Sequence, residues 1–200
     1  MRKYFYNFFI GMALVFLCSS VNAYAQPDQG NMEEMMKKWK IAASPNEAHK
    51  KLEWFVGNWE LTMKWWMDPS APPMESKGSA EFKMALDGRF LFQNATGSMM
   101  GMPFAGTGYI GYDNMKKCYT NFWMDNTSTG FVTAEGSIDQ TGKIITWYGK
   151  MDDPTTGEYD KNVKYVARIT GNNSFVYEIH DLAIGEPNTR VGEITYTRKK

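Results

Sequence analysis

Ten stretches of strand-like sequence follow one another between Gly57 and Lys199, with no convincing helix among them. The first shows the pattern most plainly. Trp59, Leu61, Met63, Trp65 and Met67 alternate with Glu60, Thr62, Lys64 and Asp68, and only Trp66 breaks the rhythm. Period-2 alternation of this kind marks a strand with one buried face. A long run of such strands joined by short turns must hide its sheet edges, and closing into a barrel does so most simply. The sequence therefore predicts an all-β fold: a single antiparallel up-and-down barrel of about ten strands, preceded by one or two short N-terminal helices.

Turn residues punctuate the run. Asp87-Gly88 is a hairpin signal between Phe82–Leu86 and Arg89–Ala95. Gly97–Pro103 reads as a Gly/Met/Pro loop, Pro69–Lys77 as another, and Asp152-Asp153-Pro154 opens one that ends near Asp160. Asp113, Asn114, Asn126, Ser128 and Thr129 read as side chains that satisfy turn backbone groups.

The N-terminus reads as a targeting segment. Arg2 and Lys3 precede an apolar stretch from Phe8 to Leu17, and Ala23-Tyr24-Ala25 supplies a small-x-small cleavage pattern before Gln26. The stretch is short for a membrane span. Leu17 before Cys18 is not the small residue a lipoprotein signal needs. Residues 1–25 are thus expected to be a signal peptide, placing the mature chain in the periplasm or outside the cell. Residues 26–43 hold a polar linker and an amphipathic helix, and 44–200 the barrel with its leading helix. In that first helix Met32, Met35, Met36 and Trp39 recur at helical spacing. Packing on the barrel's outside or across its mouth is its expected role, with contact to a membrane surface or a partner the sharper alternative. Ser44-Pro45-Asn46-Glu47 predicts the second helix start, with Ser44 as N-cap.

The chain has 22 basic and 22 acidic side chains, and loss of Arg2 and Lys3 leaves 20 against 22. That balance gives no reason to expect nucleic acid as a partner. Of the 2 cysteines only Cys118 survives cleavage, so no internal disulfide is available and the core must carry stability. His49 and His180 are the 2 histidines, neither near Cys118 or a serine in sequence. No nucleophile motif, metal-ligand spacing or cofactor fingerprint occurs, and no catalytic residue, metal or cofactor is assigned. The acidic loop of Asp152, Asp153, Glu158 and Asp160 lacks the pattern of a calcium loop and reads as solvated turn carboxylates. Met99, Met100 and Met102 crowd one loop without His or Cys, which suits an adaptable pocket rim better than a Cu(I) site.

A barrel of eight to ten strands is wide enough to hold one small ligand. Its candidate lining is Met63, Trp65, Phe90, Phe92, Tyr109, Trp123, Trp147, Tyr165 and Tyr177, with Arg89, Gln93 and Asp125 as polar contacts. Asp125 is an available partner for Arg89, and together with Gln93 the pair could orient a ligand's polar end; the equal alternative is an Arg89 that points outward beside the Asp87-Gly88 turn. A small, mostly apolar molecule is the expected partner. The alternative is a filled barrel with a structural or interaction role, and an enzyme ranks third.

Gly57-x-Trp59 at a helix-to-strand junction, with Arg198 near the end of the last strand, resembles the signature of the lipocalin-like (calycin) barrels. The segments Leu86–Phe92, Gly108–Asn114, Trp123–Gly130, Asp153–Gly157 and Glu193–Lys199 extend the resemblance to an uncharacterised exported bacterial family of that superfamily. What the resemblance implies is a Trp closing one barrel end under an Arg of the final strand. Some calycin relatives hold haem by one histidine, but the position of His180 does not match theirs.

Overall fold

A computed structural model describes residues 29–68, 70–154, 156–183 and 189–200. The expected signal peptide, Cys18, the cleavage site, Pro69, Thr155 and residues 184–188 lie outside the described residues. Two helices, α1 (Gln29–Ala43) and α2 (Glu47–Leu52), and a 3-10 turn (Glu53–Phe55) lead into the strands. These are β1 (Gly57–Trp65), β2 (Met74–Ala85), β3 (Phe90–Met99), β4 (Met102–Asp113), β5 (Cys118–Asp125), β6 (Val132–Ile138), β7 (Ile144–Asp153), β8 (Glu158–Gly171), β9 (Ser174–Asp181) and β10 (Arg190–Arg198). Each pairs antiparallel with its neighbour in sequence, and β1 pairs with β10 to close the ring. The barrel is therefore up-and-down with ten strands, as the alternation predicts.

In β1 the alternating face is the inner one: Trp59, Leu61 and Met63 are buried. Strands β2 and β8 start earlier than their loop-like sequence suggests, at Met74 and Glu158. The Gly97–Pro103 loop is likewise mostly strand. Met99 pairs with Met102, leaving a two-residue turn in which Met100 (φ 51) and Gly101 (φ 78) both take the left-handed conformation. Such a turn matches the twist of the strands it joins, so composition alone overstated the loop.

The helices sit at the end where β1 begins and β10 ends. There Trp59 donates its indole N–H to the Phe55 carbonyl at 2.9 Å. The Arg198 guanidinium lies 4.2 Å from the Trp59 ring centroid and donates to the carbonyls of Val56 (2.5 Å) and Trp54 (2.7 Å). Gly57 has φ 131, and a Cβ there would come within 2.7 Å of Arg198 Nη1. Phe175 packs edge-on against Trp59 (4.9 Å) and Phe55 (5.0 Å) and stacks on Tyr196 (4.0 Å). This end of the barrel is solid.

The caps differ from expectation. Asn46, not Ser44, starts α2: its side chain accepts from the Ala48 N–H at 2.9 Å, while His49 Nδ1 accepts from the Asn46 N–H at 3.1 Å. Ser44 instead donates back to the Lys40 carbonyl at 2.7 Å, closing α1. Asn46 holds the extended backbone that a cap needs and so wins the position. Burial lowers the pKa of His49, keeping its imidazole neutral for the cap. Helix α1 also departs from expectation. Asn114 donates to the Ala42 and Ser44 carbonyls and Arg89 to that of Ala43, so the helix end is tied to the barrel. Its apolar stripe is not covered: Met35, Met36 and Trp39 are 52%, 53% and 67% exposed.

Candidate ligand cavity

The strand ends away from the helices surround a cavity of about 670 Å³. One wall is set by a contrast in side-chain size. On β4 the inward positions include Gly106 and Gly108, both buried, and the Trp123 indole of β5 lies across them. A Cβ at Gly106 would fall 2.3 Å from Trp123 Cζ2, and one at Gly108 would fall 2.8 Å from Cε3. Only glycine allows the ring to lie flat there. Trp123 Nε1 donates to Asp125 at 2.8 Å, and Asp125 also accepts from the Thr127 N–H at 2.9 Å. Phe104 extends the wall, its ring centroid 6.5 Å from Trp123 and nearly parallel. Opposite stand Tyr165 and Tyr177, stacked at 6.0 Å. Met63, Met67, Met99, Met100 and Met151 fill the remaining lining with flexible apolar chains.

Two hydrogen bonds cross the lumen. Gln93 on β3 donates to the Tyr196 hydroxyl of β10 at 3.2 Å, and Asn121 on β5 donates to the Tyr177 hydroxyl of β9 at 3.1 Å. Around the ring β3 and β10 are separated by β1 and β2, and β5 and β9 by three strands, so each bond joins strands that are not neighbours. All four residues line the cavity. Tyr196 rests on Phe175 of the solid end, which makes these pairs the cavity floor. Burial raises the pKa of Tyr177 and of Tyr196, so both phenols stay protonated.

The rim carries the charge. Lys161, its side chain 7% exposed, contacts Asp181 at 2.5 Å, Glu158 at 3.0 Å and Asp153 at 3.1 Å. Three carboxylates from β7, β8 and β9 thus surround one ammonium, matching its three N–H donors. The bond that Lys161 donates to Asp181 leads in raising the Lys161 pKa. Glu158 is held below the usual carboxylate range, first by the Thr156 hydroxyl and then by Lys161. Trp66, the residue that breaks the β1 alternation, also lines the cavity, with the Arg190 guanidinium 4.7 Å from its ring centroid.

Of the residues singled out by sequence, Met63, Trp65, Gln93, Trp123, Asp125, Tyr165 and Tyr177 line this cavity. Phe90, Phe92 and Tyr109 do not: they pack together on the outer wall, with ring centroids 6.4 Å (Phe90–Tyr109) and 5.2 Å (Phe92–Tyr109) apart. The inner face of β3 belongs to Leu91, Gln93 and Ala95, which leaves the large rings outside. Arg89 stands at the helical end, donating to the carbonyls of Ala43 and Leu86, both at 3.0 Å, and does not pair with Asp125. Trp147 points inward but is fully buried in the packed half. His180 is half-buried beside Thr189, 3.0 Å from its hydroxyl.

The reading of the acidic loop also changes. Asp153 and Glu158 bind Lys161, whereas Asp152 accepts from the Asp160 N–H at 2.9 Å and serves the turn. Among the described residues no group of three or more His, Cys, Asp or Glu is placed to hold a metal ion. Sequence reasoning passed over Lys161, Asp181, Asn121 and Tyr196. Their signal was parity: Lys161 is in phase with Val163 and Tyr165, Asn121 with Trp123, and Tyr196 with Ile194.

Solved structures with a similar backbone include that of Rv2717c from M. tuberculosis, at 18% identity and a TM-score of 0.53 over 78% of this chain and 100% of that one. A redesigned β-barrel, mFAP0, solved bound to DFHBI, is a looser match at 14% identity and a TM-score of 0.39, over 72% of this chain and 99% of that one. The likeness to Rv2717c is one of fold. No curated protein matches the sequence. Residues 44–198, which contain α2, the ten strands and every side chain of the cavity, match DUF1579, a family described as "protein of unknown function", and the chain belongs to that family.

Proposed function

We propose that the protein binds a small, largely apolar molecule in the open half of its barrel. The observation that carries this reading is the cavity of about 670 Å³, walled by aromatic and methionine side chains and bordered by the Lys161 cluster. Volume and lining both fall in the range of sites that enclose small organic ligands. The Gly57-x-Trp59 corner beneath Arg198 supports placing the barrel with the lipocalin-like proteins. Binding takes place outside the cytoplasm in this reading, supported by the basic, apolar and Ala-Tyr-Ala segments of residues 1–25. Intact mass of the exported protein tests that part: a chain starting at Gln26 fits, and a full-length or Cys18-lipidated chain refutes it.

The binding test is fluorescence titration with an environment-sensitive apolar dye. Bound dye quenches tryptophan emission, and Trp123→Ala weakens binding about tenfold or more because it removes the ring that forms one wall. Dye binding unaffected by this substitution places the ligand elsewhere.

One observation favours a second reading, an interaction role for the outer surface: the exposed Met35, Met36 and Trp39 on α1. It predicts that Met36→Glu with Trp39→Glu releases the protein from envelope fractions while dye affinity stays unchanged.

A further inference from the structure

The floor of the cavity has hydrogen-bonding capacity left over. Tyr196 and Tyr177 each accept from an amide N–H of Gln93 or Asn121. Among the described residues, neither phenol passes its own proton on, and neither amide oxygen is engaged. Reversing either amide would exchange the roles, yet each pair would still hold spare donors and a spare acceptor. Among the described residues the floor carries no charged side chain; those of the cavity, Lys161 with its carboxylates and Asp125, stand at the strand ends that form the rim. Between floor and rim the walls are flat, with Trp123 across two glycines and Tyr165 stacked on Tyr177.

Resting on the ligand-binding reading above, we infer that the ligand enters polar end first and is an uncharged aromatic compound bearing a hydroxyl, carbonyl or carboxamide group. The two amide–phenol pairs receive that group at the floor. A charged end is refused, because an ion taken to the floor loses its hydration and finds no countercharge. An unsubstituted hydrocarbon fits the walls and leaves the spare donors and acceptors unused. Both phenols keep their protons through the neutral range, so the preference holds there without titrating.

The test compares three probes on one ring system: pyrene, 1-hydroxypyrene and 1-pyrenecarboxylate, titrated by fluorescence into the full-length mature protein and into Tyr177→Phe/Tyr196→Phe. Wild type should bind 1-hydroxypyrene about tenfold more tightly than pyrene, a net gain of one or two hydrogen bonds. The carboxylate should bind no better than pyrene. In the double variant the hydroxyl preference should fall to about twofold or less, while pyrene itself changes by less than about threefold. The single Tyr→Phe variants give the same comparison if the double variant shows no thermal transition. Equal binding of pyrene and 1-hydroxypyrene by wild type, a preference that survives both substitutions, or tightest binding of the carboxylate each overturns the inference and leaves the ligand-binding reading standing. Failure of wild type to bind any of the three overturns both.

Discussion

Trp59 and Trp123 are the same side chain set to opposite tasks, and their surroundings decide which. Trp59 is fully buried, gives its N–H to a carbonyl and has a guanidinium over its ring. Trp59→Ala should therefore cost about 3–5 kcal/mol in denaturant unfolding, with ligand affinity preserved in the folded fraction. Trp123 instead faces the cavity from its bed of glycines. Gly108→Ala would set a Cβ 2.4 Å from the Phe122 carbonyl oxygen and 2.8 Å from the Trp123 ring. It should lower the thermal midpoint and weaken dye binding together, which separates it from Trp59→Ala. The role of Trp59 was legible from Gly57-x-Trp59 and Arg198. The role of Gly106 and Gly108 was not, because glycine in a strand gives no periodic signal and its meaning lies in the neighbour that covers it.

At the scale of elements, alternation located strands well and chose faces poorly where both faces are apolar. Strand β3 illustrates the failure: Phe90 and Phe92 outweigh Leu91, Gln93 and Ala95 in hydrophobicity, yet the second set faces in. Parity is fixed by register with the neighbouring strands, and Gln93 opposite Gly108 puts the polar residue inside. The start of α2 was misread by two residues for a related reason, since Ser44 and Asn46 both carry cap chemistry and only backbone geometry selects Asn46. Asn46→Ala should cost about 1–2 kcal/mol, losing the cap and the 2.7 Å bond to Asn114 that ties α2 to the barrel. The rim cluster links three strand ends through Lys161, and its pH dependence has a definite sign. Glu158 has a depressed pKa, so its contribution is present above the ordinary value near 4.5 and lost as pH falls through the lower folded value. Lys161 has a raised pKa, so its contribution is present below 10.5 and lost as pH rises through the higher folded value. Lys161→Met should cost about 2 kcal/mol at neutral pH, less than a fully dry ion pair because the cluster borders the cavity mouth. In thermal unfolding against pH, the gap between wild type and variant should narrow toward pH 3.

The whole molecule is a barrel divided across its length. Aromatic packing from Phe55, Trp59, Phe175 and Tyr196 fills the helical half and supplies stability there, with Cys118 a free thiol. Two amide–phenol pairs mark where packing ends, and the open half keeps the cavity. Fold class and strand number could be read from period and turn chemistry, whereas the division could not. It depends on which inward residues meet across the lumen, and no local pattern records that. The central claim, that the open half is a binding chamber, is tested most directly by filling it. Ile194 lines the cavity from β10, and Ile194→Trp places a large ring in that space. Titration of the same apolar dye into wild type and variant, with thermal midpoints recorded alongside, should show affinity reduced about tenfold or more in a variant that still unfolds cooperatively within a few degrees of wild type. Undiminished dye binding by the folded variant would contradict the claim.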